Sequence, residues 1–415
     1  MSNLLGAMGH SPEGAQRFFM NEDGTVDQDR LQYLMRDRTF AAIDGSDEGN
    51  GLGEALQAAT VGGTDGHNGD WNRTEGASLA SSAFKIIADN SGTGDGFGPD
   101  DKWHIWPEMA DNLGLIASGF SSDVYDIIDG APVDGPGHLQ ISGADFDKVL
   151  SEIGRGDKTG IEALSASIVI EGNNRFNDAI QQWQKDHPGQ PITLDALVDS
   201  GLDAVLSGRA EVNGEVLGHI LNKSVLVDLD DEDIAATRAA YISKAIDIAG
   251  GFLPGAGSVL GEGASTLAEN VYDTAKGEGI SYLQGAVEGA PEANAEQYRQ
   301  QSRQGLETQI EYNLINQLVR NGYLGEQSPG DATPNPGVPD SLLVPGPNGT
   351  QIINPHLYDS DGVDKIGAEG QYTDEQIAQM RKDWNSWRGS NSYNIVNSVV
   401  TRGSEGFDRE VNKGP

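Results

Sequence analysis

Cysteine is absent from the 415 residues of this chain, which excludes disulfide bonds, thiolate zinc sites and cysteine nucleophiles. Basic residues are scarce, with 27 Lys and Arg against 64 Asp and Glu and a formal charge of −37. Nucleic-acid binding needs clustered Lys and Arg to contact phosphates, so we expect no nucleic-acid partner. Anionic membranes should repel the chain for the same reason, and a membrane partner is not favoured.

Long apolar runs are also absent. No stretch reaches the about 18 uncharged apolar residues that a membrane-spanning helix needs. The N-terminus shows neither the basic region nor the apolar region of a Sec-type signal peptide. We therefore expect a protein that is exported without such a signal or is cytoplasmic.

Glycine is abundant instead, with 56 residues, about twice the usual share. Apolar residues recur at helical spacings and no long alternating pattern occurs, which predicts a mostly α, irregular multi-helix fold. Gly9 and Gly154 each stand where a left-handed helix cap is expected. The main helices are predicted at 78–88, 107–128, 145–153, 161–183, 194–206, 215–227 and 293–321. The predicted core near the N-terminus consists of Phe18, Phe19, Leu31, Tyr33 and Leu34.

Composition divides the chain into four regions. Residues 1–230 form a helical domain, with a break near 130–145 that separates two candidate subdomains. Residues 231–325 contain a helical hairpin and a long amphipathic helix. Seven of the 17 prolines fall between Pro329 and Pro355, so 326–371 is predicted to be a proline-rich linker or arm. Residues 372–415 form a short C-terminal helical segment.

The hairpin is predicted from the apolar, glycine-rich stretch Ala245–Gly263. Such a hairpin suits either the core of a helical domain or a segment that enters a membrane. Asp247 and Glu262 interrupt the apolar run, which favours the buried alternative. The predicted turn consists of Phe252, Leu253, Pro254, Gly255 and Gly257.

Contacts with a protein partner are predicted for two places near the C-terminus. The proline-rich arm carries the apolar residues Leu342 and Leu343, which are predicted to dock. Thr373 and Gln376 form a capping-box pattern, and the helix that follows carries Trp384 and Trp387 on one side.

Calcium is a weak metal candidate, and no other cofactor is expected. Oxygen-bearing side chains and one glycine partly follow the helix–loop–helix calcium pattern, but the bidentate Glu is missing. The candidate ligands are Asp89, Ser91, Thr93, Asp95 and Asp100.

The seven histidines are dispersed, with no pair at the i, i+4 spacing of a helical metal site. No catalytic residues are identified.

Short export-like motifs are present. Tyr33–Asp37 and Tyr125–Asp129 fit Tyr-x-x-x-acid, and Trp387–Gly389 fits a Trp-x-Gly turn between two helices. Both patterns are typical of substrates of actinobacterial type VII secretion. With 11 tyrosines in so acidic a chain, roughly one or two Tyr-x-x-x-acid matches arise by chance.

A wider resemblance rests on Leu5–Phe19, with its Met-Gly-His-Ser-Pro-Glu helix start, and on the Gly-Leu-Gly-x-Ala-Leu-x-Ala-Ala-Thr helix at Gly51–Thr60. Together with the Tyr33–Asp37, Asp145–Ile153 and Phe252–Gly257 elements, these resemble the central helical region of large, uncharacterised actinobacterial proteins. The resemblance covers most of residues 1–325. It implies an association with type VII secretion or polymorphic-toxin-like systems, and it offers no catalytic residues to transfer.

Three functions follow as hypotheses. The preferred one is a non-enzymatic, acidic helical carrier or interaction scaffold of such an actinobacterial system, with a protein partner. The second is a membrane-active protein that inserts the 234–276 hairpin after a trigger. The third is a calcium-binding or carboxylate-dependent hydrolase.

Overall fold

A computed structural model describes part of the chain. The described residues are 2–37, 49–62, 71–94, 102–155, 159–189, 194–225, 303, 306–308, 310–312, 314–316, 318–319, 338–345, 351–353 and 373–413. Helices dominate this part, which confirms the predicted mostly α class. The predicted hairpin at 245–263 lies outside the described residues.

The helices of the first half are α1 (Ser2–Met8), α2 (Pro12–Phe19), α3 (Gln28–Gln32), α4 (Asn50–Val61), α5 (Arg73–Asn90), α6 (Ala110–Gly119), α7 (Ser121–Asp129), α8 (Gly143–Arg155), α9 (Thr159–Asp186), α10 (Leu194–Asp199) and α11 (Leu202–Val225). A π-helical turn, Tyr33–Asp37, follows α3, and a 3-10 turn, Pro107–Met109, precedes α6. The C-terminal part contains a 3-10 turn (Asp340–Leu342), β1 (Leu343–Pro345), β2 (Gln351–Ile353), α12 (Asp374–Arg388) and α13 (Asn391–Val411).

The N-terminal helices begin where local sequence signals place them. Pro12 is the first residue of α2, directly after Ser11, because its missing N–H costs nothing at a helix start. The Asn21–Gly24 turn after α2 uses Gly24 at φ +78°, a conformation that glycine adopts without strain. The side chain of Asn72 caps α5 by accepting hydrogen bonds from the N–H groups of Thr74 and Glu75.

Gln16 fastens α2 to the neighbouring helices. Its Nε2 donates to the carbonyl oxygens of Ala59, 3.1 Å away, and Asn72, 2.8 Å away, while its Oε1 accepts from the Asn72 N–H at 2.8 Å. Trp71 Nε1 also donates to Ala59 O at 2.9 Å. A buried amide with its polar groups bonded in this way fixes helix ends that would otherwise leave backbone groups unpaired.

One contiguous hydrophobic core connects α1 to α13 among the described residues. Helix α4 packs among α1, α2, α5 and α6, whereas α9 and α11 pack against each other and α11 also contacts α8 and α13. Phe19, Leu31 and Leu34 are buried as predicted, but Tyr33 is 54% exposed. The prediction for Tyr33 was wrong because the chain enters the π-helical turn there, and that turn buries Leu34 and Met35 instead.

Two predicted helix boundaries were also wrong. Helix 194–206 is broken because Gly201 adopts φ +74° between α10 and α11. The separate helices predicted up to 206 and from 215 are one continuous helix, α11. The reason is that Gly208 and Gly214 lie inside α11 and do not interrupt it.

Glycines permit close contacts between helices. This role differs from the helix-capping role that was predicted for Gly9 and Gly154. Gly154 lies inside α8, where the lack of a side chain lets its backbone lie against that of Ser224 on α11. Neither Gly9 nor Gly154 has a positive φ, so both left-handed caps were wrongly predicted. On α11 and α13, Gly214 and Gly403 face each other so closely that a Cβ on Gly214 would overlap the Gly403 carbonyl oxygen.

The C-terminal segment is packed against the rest of the chain. Strands β1 and β2 pair antiparallel, with Leu343 opposite Ile353, and the Ile353 N–H donates to Asn316 Oδ1 at 2.8 Å. The predicted capping box starts α12, since Thr373 and Gln376 each bond the other's backbone N–H. Helix α13 then packs lengthwise on α11. The predicted long helix before the arm is helical at the described positions between 303 and 319, with its apolar side buried.

Candidate functional site

In the described part of the calcium candidate, the side chains of Asp89 and Ser91 have partners within the chain, whereas the buried Thr93 hydroxyl has no hydrogen-bond partner among the described residues. Asp89 pairs with Lys85, whose Nζ lies 2.9 Å from Asp89 Oδ1. Ser91 Oγ donates to Glu152 Oε1 at 2.5 Å, and Thr93 lies at the loop base, where its carbonyl accepts from the Trp103 N–H at 2.8 Å. Asp95 and Asp100 lie outside the described residues. Within the described ranges no cluster of three or more potential metal ligands occurs, and calcium binding stays a prediction.

The residues predicted for partner contacts face the interior. Leu342 and Trp387 are buried, Trp384 is almost so, and Leu343 is half-buried. The rings of Trp384 and Trp387 stack at 5.8 Å, and Trp387 meets the Tyr393 ring edge-to-face at 5.3 Å. In this conformation these apolar surfaces join the arm and the two C-terminal helices to each other. The five hairpin residues predicted alongside them lie outside the described residues.

The charged side chain of Arg388 packs against the same aromatic cluster. Its guanidinium lies over the Trp384 ring at 4.9 Å and its Nη2 is 3.1 Å from Glu311 Oε2. Burial raises the pKa of the Tyr393 hydroxyl to about 12, with the Glu311 carboxylate adding to the effect. The Trp-x-Gly motif thus forms the predicted turn between two helices, and its tryptophan is a packing residue.

The two Tyr-x-x-x-acid motifs differ sharply in environment. Tyr125 is fully buried, its hydroxyl donates to Asn213 Oδ1 at 2.5 Å, and Arg175 lies 4.1 Å above its ring. Burial raises the pKa of the Tyr125 hydroxyl well above its usual value. A side chain so enclosed has no surface to offer a receptor.

Tyr33 is presented to solvent instead. Asp29, one turn before it, and Asp37, one turn after it, are also exposed. We call these three residues, Asp29, Tyr33 and Asp37, the Tyr33 surface. An exposed aromatic ring with carboxylates on both sides offers apolar area and negative charge together, which suits contact with a basic surface.

Arg175 anchors a half-buried polar junction between α7 and α9. Its guanidinium lies 2.8 Å from both Asp126 Oδ1 and Glu171 Oε1. Burial disfavours the charge on Arg175, but the hydrogen bonds to Asp126 and Glu171 outweigh it and raise its pKa. Paired charges of this kind are strongly destabilising to break, and they indicate a structural role.

Two fully or nearly buried carboxylates were missed by sequence reasoning. Glu152 accepts hydrogen bonds from Ser91 Oγ and from the Ile105 N–H at 3.1 Å, and its Oε1 lies 3.0 Å from His104 Nδ1. Asp123 accepts from the Leu139 N–H and faces His138 Nδ1, both at 2.8 Å. Each carboxylate holds a connecting segment against a helix. No local signal marks them, because their partners are distant in sequence.

The ion pairs of the described part lie largely at the surface, as the 71% and 47% exposed side chains of Arg17 and Arg409 show. Many basic side chains of the described part are engaged in intramolecular ion pairs: Arg17, Arg30, Lys85, Arg175, Lys223, Arg303, Arg388, Arg402, Arg409 and Lys413. Many acidic side chains face solvent: Glu22, Asp29, Asp37, Glu108, Asp134, Asp178, Asp186, Asp199 and Glu375. The exterior of the described part therefore carries many carboxylates beside these paired basic groups.

A further cluster of charges surrounds His219, where α8, α11 and α13 meet.

Among the described helices none is both long and apolar enough to cross a membrane. Comparison with protein-family models, with curated proteins and with solved structures finds no match. The resemblance to actinobacterial secretion-associated proteins accordingly stays a prediction, and the function has to be argued from the described residues themselves.

Proposed function

We propose that this chain is a non-enzymatic interaction scaffold or carrier whose acidic exterior binds a basic protein partner. The setting suggested by its sequence is a type VII-associated or toxin-like actinobacterial system. The observation that carries the proposal is the charge pattern of the described residues, in which many basic groups are engaged in ion pairs within the chain and many acidic groups face solvent.

The excess of acidic groups costs the folded chain free energy. A chain with a formal charge of −37 is destabilised by repulsion among its own carboxylates. A partner with clustered Lys and Arg relieves the repulsion on binding and is steered towards the surface by the long-range field. Binding of this kind weakens as salt rises, because exposed charges more than about 10 Å apart are screened at 0.1 M ionic strength.

The Tyr33 surface is the best-defined contact point for such a partner. Tyrosine is enriched among residues that dominate interface energetics, since its rigid ring buries apolar area and its hydroxyl remains able to hydrogen-bond. Asp29 and Asp37 supply negative charge on either side of Tyr33. Asp29 and Asp37 offer pairing positions for basic side chains of a partner, beside Arg30 and Arg36 of this chain, and the ring supplies contact area.

Capture of the tagged full chain from its native host tests the proposal. At about 50 mM salt we expect one dominant partner with a basic isoelectric point, and at about 500 mM salt we expect its release. Mass spectrometry identifies what is bound in each condition. Recovery of the chain alone at low salt, or of a partner that stays bound at high salt and is acidic, would contradict the proposal.

A further inference from the structure

The His219 ring connects three helices through two carboxylates. Its Nε2 lies 2.7 Å from Asp147 Oδ1 on α8, and its Nδ1 lies 3.6 Å from Glu410 Oε2 near the end of α13. A neutral imidazole carries one N–H and faces the second carboxylate with a lone pair. Only the protonated ring presents an N–H to both Asp147 and Glu410.

The charges around His219 balance only when the ring is protonated. Lys223 Nζ lies 3.8 Å from Asp147 Oδ2, Lys413 pairs with Glu410, and Arg409 pairs with both Glu211 and Glu215. With a charged ring, four acidic groups face four basic groups: Asp147, Glu211, Glu215 and Glu410 against His219, Lys223, Arg409 and Lys413. A neutral ring leaves the four acids with three bases, at a place where the side chains of His219 and Glu410 are only 19% and 10% exposed.

This cluster lies beside one of the close contacts between α11 and α13. Gly218 precedes His219, and a Cβ on Gly218 would lie 2.7 Å from the carbonyl oxygen of Phe407. One turn further along α11, Asn222 Nδ2 donates to the Glu410 carbonyl oxygen at 3.0 Å. The His219 contacts with Asp147 and Glu410 therefore lie where α13 packs on α11.

We propose that His219 is a proton-dependent latch, which holds α13 against α8 and α11 when it is protonated and loosens that contact when it is neutral. Histidine is the side chain whose protonation can act as a switch between about pH 6 and about pH 8. This proposal is independent of the identity of any partner.

Amide hydrogen exchange of the full chain tests the latch. Peptides covering Asn391–Val411 are compared at about pH 6 and about pH 8 after correction for the intrinsic rate, with peptides covering Arg73–Asn90 in α5 as the internal reference. We expect α13 to open roughly three- to tenfold more often at the higher pH relative to α5. In the H219Q variant this pH difference should disappear, with protection at pH 6 reduced to that of the wild type at pH 8.

A matched control is H138Q, since His138 forms another histidine–aspartate pair, with Asp123 on α7. This variant should keep the full pH effect in α13. The more exposed D147N variant serves if H219Q fails to fold, and it should reduce the pH effect. A wild type with equal α13 exchange at both pH values overturns the proposal, as does an undiminished pH effect in H219Q or D147N.

Discussion

At the scale of single residues, buried charges in this molecule serve to join segments that are distant in sequence. Glu152 holds Ser91 and Ile105 to α8, and Arg175 links α9 to Asp126 on α7. In each case the charged group has several partners, which offset the cost of its burial. Chemistry on a substrate would require such groups to be available, whereas these are committed to the fold.

Asp129 illustrates the opposite case, a carboxylate in an unfavourable position. It ends α7, where the helix dipole disfavours negative charge. Burial, and then the nearby Asp126, raise the pKa of Asp129 despite Arg175 and Arg209. A raised pKa means that the folded state holds the proton more tightly than the unfolded chain does. The resulting stabilisation is complete at pH values below the ordinary carboxyl pKa. It is lost as the pH rises through the raised pKa of Asp129 in the folded state.

The variant Asp129→Asn should therefore be more stable than the wild type at neutral pH, by about 0.3–1 kcal/mol. Its advantage should shrink as the pH falls towards about 4, because the wild-type carboxyl then becomes neutral as well. Urea unfolding at several pH values measures the difference. Asp134→Asn, which neutralises an exposed acid in the loop after α7, is the control. A destabilised Asp129→Asn at pH 7, or an advantage that persists undiminished in acid, would refute the assignment.

At the scale of elements, glycine decides which helices approach each other. Helices α11 and α13 are in direct backbone contact at Gly214 and Gly403, and Gly406 of α13 lies against the carbonyl of Glu211. Close approach of this kind needs a residue without a Cβ at the point of contact. The abundant glycines thus have a role in packing as well as in turns.

Two identical substitutions on α11 should have opposite effects. Gly214→Ala places a methyl group against the Gly403 backbone, which cannot move aside cheaply, and should cost about 1–3 kcal/mol. Gly208→Ala meets nothing within 4 Å and should stabilise the helix by about 0.5–1 kcal/mol. Chemical unfolding of both variants measures the effects. Equal changes in the two variants would mean that α11 and α13 are not packed in this way.

The sequence predicts the elements that depend on local signals and fails where distant contacts decide. The Thr373–Gln376 capping box is local, and it is confirmed. The start of α2 at Pro12 follows from a local signal of the same kind, although the Ser11 side chain makes no capping hydrogen bond there. The role of Gly154 was missed because the residue against which it packs, Ser224, lies on a different helix. Trp387 was predicted to contact a partner since its apolar ring is visible in the sequence, whereas the Trp384 and Tyr393 rings that cover it become apparent only in three dimensions.

At the scale of the whole molecule, the described helices form one connected core with excess acidity outside it. The C-terminal helices belong to this core, so α12 and α13 are part of the same packed body as α1–α11. Self-repulsion of the carboxylates opposes folding, and the glycine-mediated contacts and buried ion pairs oppose that repulsion. A basic partner that binds the exterior adds to the stability of the folded chain by mass action.

Titration calorimetry of the captured basic partner against two matched triple variants tests this account most directly. One variant alters the Tyr33 surface through Asp29→Asn, Tyr33→Ala and Asp37→Asn. The other removes two exposed acids and one exposed apolar side chain elsewhere, through Asp178→Asn, Val198→Ala and Asp199→Asn. We predict an affinity loss of at least about tenfold for the first and less than about twofold for the second. Equal losses in the two variants, or none in the first, would contradict the proposed binding surface.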